Sequence, residues 1–198
     1  MLSHRIDARR SLRPYEEADA DALQALIEAN REHLASWMPW AARQQLEGTL
    51  AFIRSSRAAL ADNSALELAI LVDGAIVGGA GLNRVDRTNR LANIGYWIAA
   101  DAQGRGTVTA AARALIDHAF DGWRLNRVEI RAGVGNHRSR AVAERLGFEQ
   151  EGVLRQAELV GDRFIDHSVY AMLAADWQAE RIAQPRAQPA QRSARGSD

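Results

Sequence analysis

Apolar residues recur along the chain with two different spacings, and these spacings predict the main elements. A spacing of three and four residues, beginning near residue 107, predicts a helix with one buried face. A spacing of two within residues 126–133 predicts a strand with one buried face. The apolar positions of the helix are Val108, Ala111, Ala112, Leu115, Ile116 and Ala119, and those of the strand are Val128, Ile130 and Ala132.

The remaining segments also alternate between strand-like and helical patterns. The resulting order is β, α, α, β, β, β, α, β, α, β, β, which predicts a mixed α/β (α+β) fold with a mostly antiparallel sheet and a strand–helix–strand unit in its second half. Asp73-Gly74 and Gly161-Asp162 are predicted hairpin turns, and Gly147 is a predicted helix end. The other predicted strands lie at 8–16, 65–85 (a hairpin), 90–100 and 152–173 (a pair), and the other helices at 16–34, 46–62 and 139–148.

The patterned part of the chain, residues 1–178, is predicted to form a single domain. Residues 179–198 are rich in glutamine, proline, alanine and arginine, and we expect them to form a mobile tail. No apolar run approaches the roughly 18 residues that span a bilayer, and the first residues lack the apolar region of a secretory leader. We therefore expect a cytoplasmic protein with no membrane partner.

Composition excludes several kinds of chemistry. The 25 basic and 25 acidic residues balance, so no clustered positive charge indicates a nucleic-acid partner. The chain has no cysteine, which excludes disulfides, thiolate nucleophiles and thiolate metal sites. All 25 basic residues are arginines, which excludes a P-loop lysine and a pyridoxal Schiff base. The histidines lack metal-ligand spacing, and we expect no metal.

A glycine-containing loop, QGRGTV at residues 103–108, precedes the clearest helix. A helix start leaves backbone N–H groups unpaired and partly positive, and it therefore favours an anion. Gly104 and Gly106 would clear the approach of a phosphate, and Arg105 would add a cation. The same glycines also suit an ordinary tight turn, so the loop alone leaves both interpretations open. A dinucleotide-binding fingerprint is disfavoured because it needs a glycine where Thr109 stands.

A second motif, GNHRSRAVAERLGF, follows at residues 135–148. Together the two motifs resemble those of the GNAT N-acetyltransferases, whose acetyl-CoA motif reads Q/R-x-x-G-x-G/A; the departure is Val108, where the family prefers glycine or alanine. NREHLASWMPW, IGYWI and the last strand pair further resemble the RimJ/RimL branch, which includes N-terminal acetyltransferases of ribosomal proteins. The resemblance covers about residues 8–177. The second motif matches at Asn136, Ser139, Val142, Glu144, Arg145, Gly147 and Phe148.

This resemblance implies a GNAT fold, in which a central, mostly antiparallel twisted sheet is flanked by helices and splayed between strands 4 and 5. It implies acetyl-CoA as the cosubstrate, with the pantetheine arm between strands GYWIA and EIRAG and the pyrophosphate on the amides of residues 104–108. The residues that it implies for acetyl-CoA are Ile98, Gln103, Gly104, Arg105, Gly106, Thr107, Val108, Asn136 and Ser139.

The resemblance also suggests catalytic and acceptor residues. Ser139 is the candidate that protonates or holds the leaving thiolate, and the alternative is that it only caps its helix. Tyr170 is a weaker alternative donor, with a place in the core of the last strand as the other interpretation. Many relatives carry a glutamate where this chain has Asn93, which cannot take a proton. Glu158 is therefore the candidate base at the acceptor site, and the alternative is an exposed strand glutamate. Trp37 and Trp40 are candidates for the acceptor wall, with core packing as the alternative.

The predicted function is direct transfer of an acetyl group from acetyl-CoA to a primary amine. An α-amine with a pKa of about 8 needs less help to lose its proton than a lysine at about 10.4, so a protein N-terminus is the favoured acceptor. The alternatives are a small-molecule amine and a non-catalytic acyl-CoA sensor. Because related enzymes are often homodimers, a homodimer is also an expectation.

Overall fold

The computed structural model describes residues 3–183, which form one eight-stranded sheet with helices on both faces. Every neighbouring pair of strands is antiparallel except β5 and β6, which are parallel. The predicted mixed fold and mostly antiparallel sheet are therefore confirmed. The order across the sheet is β1-β2-β3-β4-β5-β6-β8-β7, and the strands are β1 (His4–Arg5), β2 (Arg10–Pro14), β3 (Leu66–Val72), β4 (Ala75–Asp86), β5 (Leu91–Ile98), β6 (Arg127–Gly133), β7 (Glu149–Val160) and β8 (Arg163–Leu173).

The helices differ from the predicted set at the first helix and at the end of the chain. They are α1 (Ala20–Ala29), α2 (Arg31–Ala35), α3 (Leu46–Asp62), α4 (Thr107–Asp117), α5 (His137–Arg145) and α6 (Ala174–Ala183). Among residues 3–183, no helix has the length and apolar character needed to span a bilayer.

The single helix predicted at 16–34 is two helices, because Asn30 interrupts it. Its side-chain amide donates to the carbonyl of Leu26 at 2.9 Å, and its side-chain oxygen accepts from the N–H of Ala100 at 2.9 Å. Asn30 therefore ends α1 and ties this end to the segment that follows β5. The first turn of the predicted helix is instead a separate 3-10 turn at Glu17–Asp19. Reciprocal hydrogen bonds between Glu16 and Asp19 close it.

The last helix, α6, was not predicted, and it crosses the boundary expected between residues 178 and 179. Its Trp177 is buried, and the indole Nε1 donates to Asp117 Oδ1 at 3.0 Å. Since this contact fixes α6 against the end of α4, the helix belongs to the domain. The rest of the expected tail, residues 184–198, lies outside the described residues.

Side chains that alternate along the strands divide the core between the two faces of the sheet. On β3, Leu68 and Ile70 face a large cluster that includes residues of α4, α5 and α6. Ala69 and Leu71 face a second, smaller cluster with residues of α1 and α3. A period of two in a strand places successive side chains on opposite faces, so the sheet is covered on both sides.

The two parallel strands, β5 and β6, stay paired for only part of their length. Their register runs from Leu91 opposite Arg127 to Ile94 opposite Ile130. Beyond this point both strands continue, β5 to Ile98 and β6 to Gly133, without pairing to each other in the described structure. The sheet therefore opens into a wedge between the GYWI and RAG segments, as the family resemblance implied. In this chain the parting strands are the fifth and sixth, because the short β1 precedes the others.

Replacing Gly78 with alanine should destabilise the fold. A Cβ at this position of β4 would overlap the carbonyl oxygen of Trp97 and lie 2.9 Å from the Cα of Ile98, both backbone atoms of β5. Since backbone cannot rotate away, we expect Gly78→Ala to lower the free energy of unfolding by at least about 2 kcal/mol. Thermal unfolding should show a Tm lower by roughly 4–8 °C. Gly152→Ala is the matched control, because its Cβ would meet nothing within 4 Å; equal losses in both variants would contradict this account.

Candidate active site

Two cavities reach the wedge. The first, of about 1150 Å³, lies beside the beginnings of α4 and α5, and we call it the helix cavity. The second, of about 770 Å³, is lined by several tryptophans, and we call it the aromatic cavity. Residues that line both cavities mark the place where they meet. These shared residues are Trp37, Met38, Tyr96, Trp97, Asn136 and Ser139.

The loop before α4 places backbone amides at the wall of the helix cavity. Gly104 and Gly106 have φ angles of 75° and 69°, a left-handed conformation that glycine adopts without strain. No side chain in the described part of the chain caps α4, so its first N–H groups can meet a ligand. Val108 packs against the buried cluster that contains Ile98 and Ala102. Its side chain thus serves the core, while the first turn of α4 lines the cavity.

The positive charge at the helix cavity comes from α5 rather than from the glycine loop. Arg105 donates to the carbonyl of Asp101 at 3.1 Å and does not line this cavity. Arg138 and Arg145 do line it. Arg138 donates to the Gln103 side chain, and Arg145 donates to the Thr109 hydroxyl at 3.4 Å. Their spacing of seven residues puts both cations on one helix face, a signal that the sequence analysis did not use. The other eight residues expected for acetyl-CoA line the helix cavity.

Ser139 is hydrogen-bonded to Tyr96 where the cavities meet. Its hydroxyl donates to the Tyr96 hydroxyl at 3.1 Å, and the Tyr96 hydroxyl donates to the Ser139 carbonyl at 3.0 Å. Asn136, rather than Ser139, caps α5: its side-chain oxygen accepts from the Ser139 N–H at 3.1 Å. Burial raises the pKa of Tyr96 to about 12, so its hydroxyl keeps its proton at neutral pH. Tyr96 was missed as a functional candidate because its segment, IGYWI, indicated a strand and the family resemblance but no role for the hydroxyl.

The aromatic cavity contains the expected acceptor residues. Trp37 lies against Gly133 at the end of β6, and Trp40 contacts Trp97 edge-on with ring centroids 6.0 Å apart. Both Trp37 and Trp40 line the cavity, and Trp40 is exposed. These positions are not those of ordinary core residues.

Glu158 lies on β7 at the same cavity and is paired with a histidine. Its Oε2 is 3.1 Å from Nε2 of His167 on β8, and its side chain is 37% exposed. Both residues line the aromatic cavity. Glu158 was a candidate from the sequence but His167 was not, because the two come together only through the pairing of β7 and β8.

A second carboxyl group in the aromatic cavity, Glu67 of β3, was not recognised from the sequence. Its Oε2 occupies the space that a side chain at Gly81 would fill. Desolvation raises the pKa of Glu67 to about 7, while a hydrogen bond with Asn83 acts in the opposite direction. Asn93 is buried and lines the same cavity. Within residues 3–183, no cluster of three histidine or acidic side chains could hold a metal ion.

The chain is similar to acetyltransferases. Residues 9–149, more than half of the chain, match the family model described as "Acetyltransferase (GNAT) domain". The chain is 38% identical over 183 residues to the putative ribosomal N-acetyltransferase YdaF of Bacillus subtilis (strain 168). This match covers 91% of this chain and 100% of YdaF.

Solved structures of acetyltransferases share the fold. The ribosomal alpha-N-protein acetyltransferase RimL in complex with coenzyme A has a TM-score of 0.83 and 26% identity, covering 87% of this chain and 98% of RimL. The microcin self-immunity acetyltransferase MccE in complex with acetyl-CoA and AMP has a TM-score of 0.81 and 32% identity, covering 85% of this chain and 94% of the other.

Glu67 should make stability fall as the pH rises from about 4.5 to about 7. Over this range the folded protein keeps the Glu67 proton, whereas the unfolded chain, with an ordinary pKa near 4.5, loses it. We therefore compare the free energy of unfolding of Glu67→Gln with that of the wild type at each pH. The difference, variant minus wild type, should be more positive at pH 8 than at pH 4 by on the order of 3 kcal/mol. Urea unfolding at both pH values measures this difference. Glu149→Gln, an exposed glutamate of β7, is the control, and an equal pH response in both variants would refute the expectation.

Proposed function

Since this chain belongs to the GNAT acetyltransferase family and is an N-acetyltransferase, we propose that it moves the acetyl group of acetyl-CoA to the α-amine at a protein N-terminus. The observation that carries this proposal is the meeting of two cavities at the wedge, with Ser139 and Tyr96 at the junction. One cavity offers backbone amides and guanidinium groups, as a phosphate-bearing donor needs. The other offers aromatic walls and carboxylates, as an amine needs.

The helix cavity is the proposed site of acetyl-CoA. The amides at the start of α4 would hold the pyrophosphate, and Arg138 and Arg145 would add charge-assisted contacts. The part of β5 that has left β6, near Ile98, would pair with the pantetheine arm. The presence of coenzyme A in RimL and of acetyl-CoA in MccE supports this assignment.

The proposed reaction is direct attack of a neutral amine on the thioester carbonyl. The new C–N bond forms as the C–S bond breaks, and the sulfur leaves as a thiolate. Ser139 and Tyr96 each carry a hydroxyl at the junction, so one of them can donate a proton or a hydrogen bond to this sulfur. No acyl-enzyme through sulfur can form, because the chain has no cysteine.

The aromatic cavity is the proposed acceptor site. Trp37 and Trp40 would contact the first residues of the acceptor, and Glu158, held by His167, would attract its ammonium group. A favourable acceptor is an α-amine, because its pKa of about 8 is closer to neutrality than that of a lysine side chain at about 10.4. The names of YdaF and RimL, which refer to ribosomal protein acetylation, support a protein acceptor.

A small-molecule amine is the second candidate acceptor. The observation that favours it is the similarity to MccE, whose solved complex contains AMP together with acetyl-CoA. Trp40 and Trp97, however, meet edge-on with an interplanar angle of 68°. They do not form a parallel slot for a nucleobase in this arrangement, which favours the protein acceptor.

Peptides should separate the two acceptors. We expect thiol release from acetyl-CoA with peptides that carry a free N-terminus, and none with the same peptides after N-terminal blocking, even if they contain lysine. Because the protein contributes no thiol of its own, a thiol reagent reads the product directly. Release with simple amines or amino-acid nucleotides but with no free-N-terminal peptide would overturn the protein acceptor in favour of the small-molecule one.

Removing either hydroxyl at the junction should slow the chemical step. We expect Ser139→Ala and Tyr96→Phe each to lower kcat by about 100-fold, with little change in the Kd for acetyl-CoA. The double variant should lose little more than either single one, because the two hydroxyls form one hydrogen-bonded pair. Steady-state kinetics and calorimetric binding test this. Ser55→Ala, exposed on α3, is the control, and full activity of Ser139→Ala would exclude the proposed role.

Removing either cation of α5 should weaken the binding of acetyl-CoA more than it slows turnover. We expect Arg138→Ala and Arg145→Ala each to raise the KM for acetyl-CoA about 10-fold at low salt, since each removes a charge-assisted contact. Their kcat should change little, and the difference should shrink as salt is added. Arg163→Ala, at an exposed position of β8, is the matched control. An unchanged KM in both variants would refute the assignment of the phosphates to this cavity.

A further inference from the structure

The Glu67 carboxyl of β3 and Gly95 of β5 both line the aromatic cavity. Gly81 of β4 pairs with Glu67 of β3 on one side and with Gly95 of β5 on the other. The Glu67 carboxyl lies directly over Gly81: a Cβ there would meet its Oε2 and would come within 2.5 Å of its Cδ. Because Gly81 has no side chain, the carboxyl fits over β4. Next to it the Asn83 amide lies over Gly95, with its Nδ2 3.0 Å from where a Cβ would be.

This carboxyl also lies close to the point where β5 leaves β6. Gly95 is the residue after Ile94, the last β5 residue that pairs with β6. Neighbouring strands lie about 4.8 Å apart, so a group above Gly81 is about one strand spacing from the backbone of Gly95. An amine bound in the cavity above these strands, beside the Asn83 amide, would have the carboxyl on one side and the opening of the wedge on the other.

We propose that Glu67 removes the proton from the ammonium form of the acceptor, an inference that rests on the proposed function. One N–H bond breaks and an O–H bond forms on Glu67, leaving a lone pair on nitrogen. The lone pair attacks the thioester carbonyl, so that a C–N bond forms and the C–S bond breaks. The second amine proton passes to the departing sulfur, directly or through the Ser139 hydroxyl, and the third stays on the amide. Glu67 then releases its proton to water at the cavity mouth.

The surroundings of Glu67 suit this role better than those of the other carboxylate. Asn83 hydrogen-bonds to it and Tyr15 interacts with it electrostatically. Burial brings its pKa to about 7, where a base is both ionised and able to hold a proton. Glu158 is partly exposed and already contacts His167. Asn93 is an amide and cannot accept the proton. The remaining charged residues that line the cavity are Arg84, Arg131, Arg155 and His167.

The test compares two acceptors that differ only in their need for a base. One is a peptide with a free α-amine, and the other is the same peptide with an aminooxy group in its place, which is already neutral at pH 7. We expect Glu67→Gln to lower kcat about 100-fold or more on the α-amine peptide at pH 7 and to keep most of the activity on the aminooxy peptide. In the wild type, kcat on the α-amine peptide should rise with pH through about 7, and Glu67→Gln should lack this limb.

The outcomes separate this inference from the proposed function. Wild-type protein that turns over no peptide refutes the protein acceptor; the same comparison is then made with the small amine that the protein does accept and its aminooxy analogue. Wild-type activity with an equal loss on both acceptors in Glu67→Gln assigns Glu67 a structural role and overturns the inference. Glu67→Asp keeps a carboxyl and should therefore retain the rise of kcat with pH. This variant replaces Glu67→Gln in the test if Glu67→Gln does not fold. Glu149→Gln is the matched control for loss of a negative charge.

Discussion

The site depends on a gap in the sheet, where β5 and β6 make no backbone hydrogen bonds with each other. A parallel pair that continued to Ile98 and Gly133 would seal the sheet and separate its two faces. Because pairing between them stops at Ile94 and Ile130, β5 and β6 make no backbone hydrogen bonds with each other across the gap beyond these residues. Buried backbone groups that face such a gap need partners. The two cavities meet at this gap. The N-terminal ends of α4 and α5 are brought to it by the two strands that precede them.

Glycines and one asparagine then shape the two sides of the site. On the acceptor side, the missing side chain of Gly81 leaves room for the Glu67 carboxyl, and that of Gly95 leaves room for the Asn83 amide. On the donor side, the conformations of Gly104 and Gly106 turn the chain into α4 without covering its first amides. Asn136 fixes the start of α5 and thereby the position of Ser139. Each of these residues acts through geometry rather than through its own reactivity.

Most of the fold followed from local patterns, and the parts that did not follow depend on distant contacts. The periodicity predicted α4 and β6 because one face of each is buried along its whole length. It missed the interruption at Asn30, which is set by a contact with Ala100, seventy residues away. It also missed α6, whose short apolar face is a single buried tryptophan. In the site, motif matching singled out Ser139 and a glycine loop of which all residues but Arg105 line the helix cavity. Glu67 was missed because only the pairing of three strands reveals the glycines beside it.

The cations of α5 have one more chemical consequence. Arg138 and Arg145 line the cavity that we assign to a reactive thioester, and every other basic residue of the chain is also an arginine. A guanidinium group stays protonated and does not attack thioesters, whereas a lysine amine is a common target of acetylation. A lysine at either position would place a primary amine beside the acetyl donor. With arginine throughout, no side chain of the enzyme competes with its acceptor, and self-acetylation cannot erode the positive charge that holds the donor.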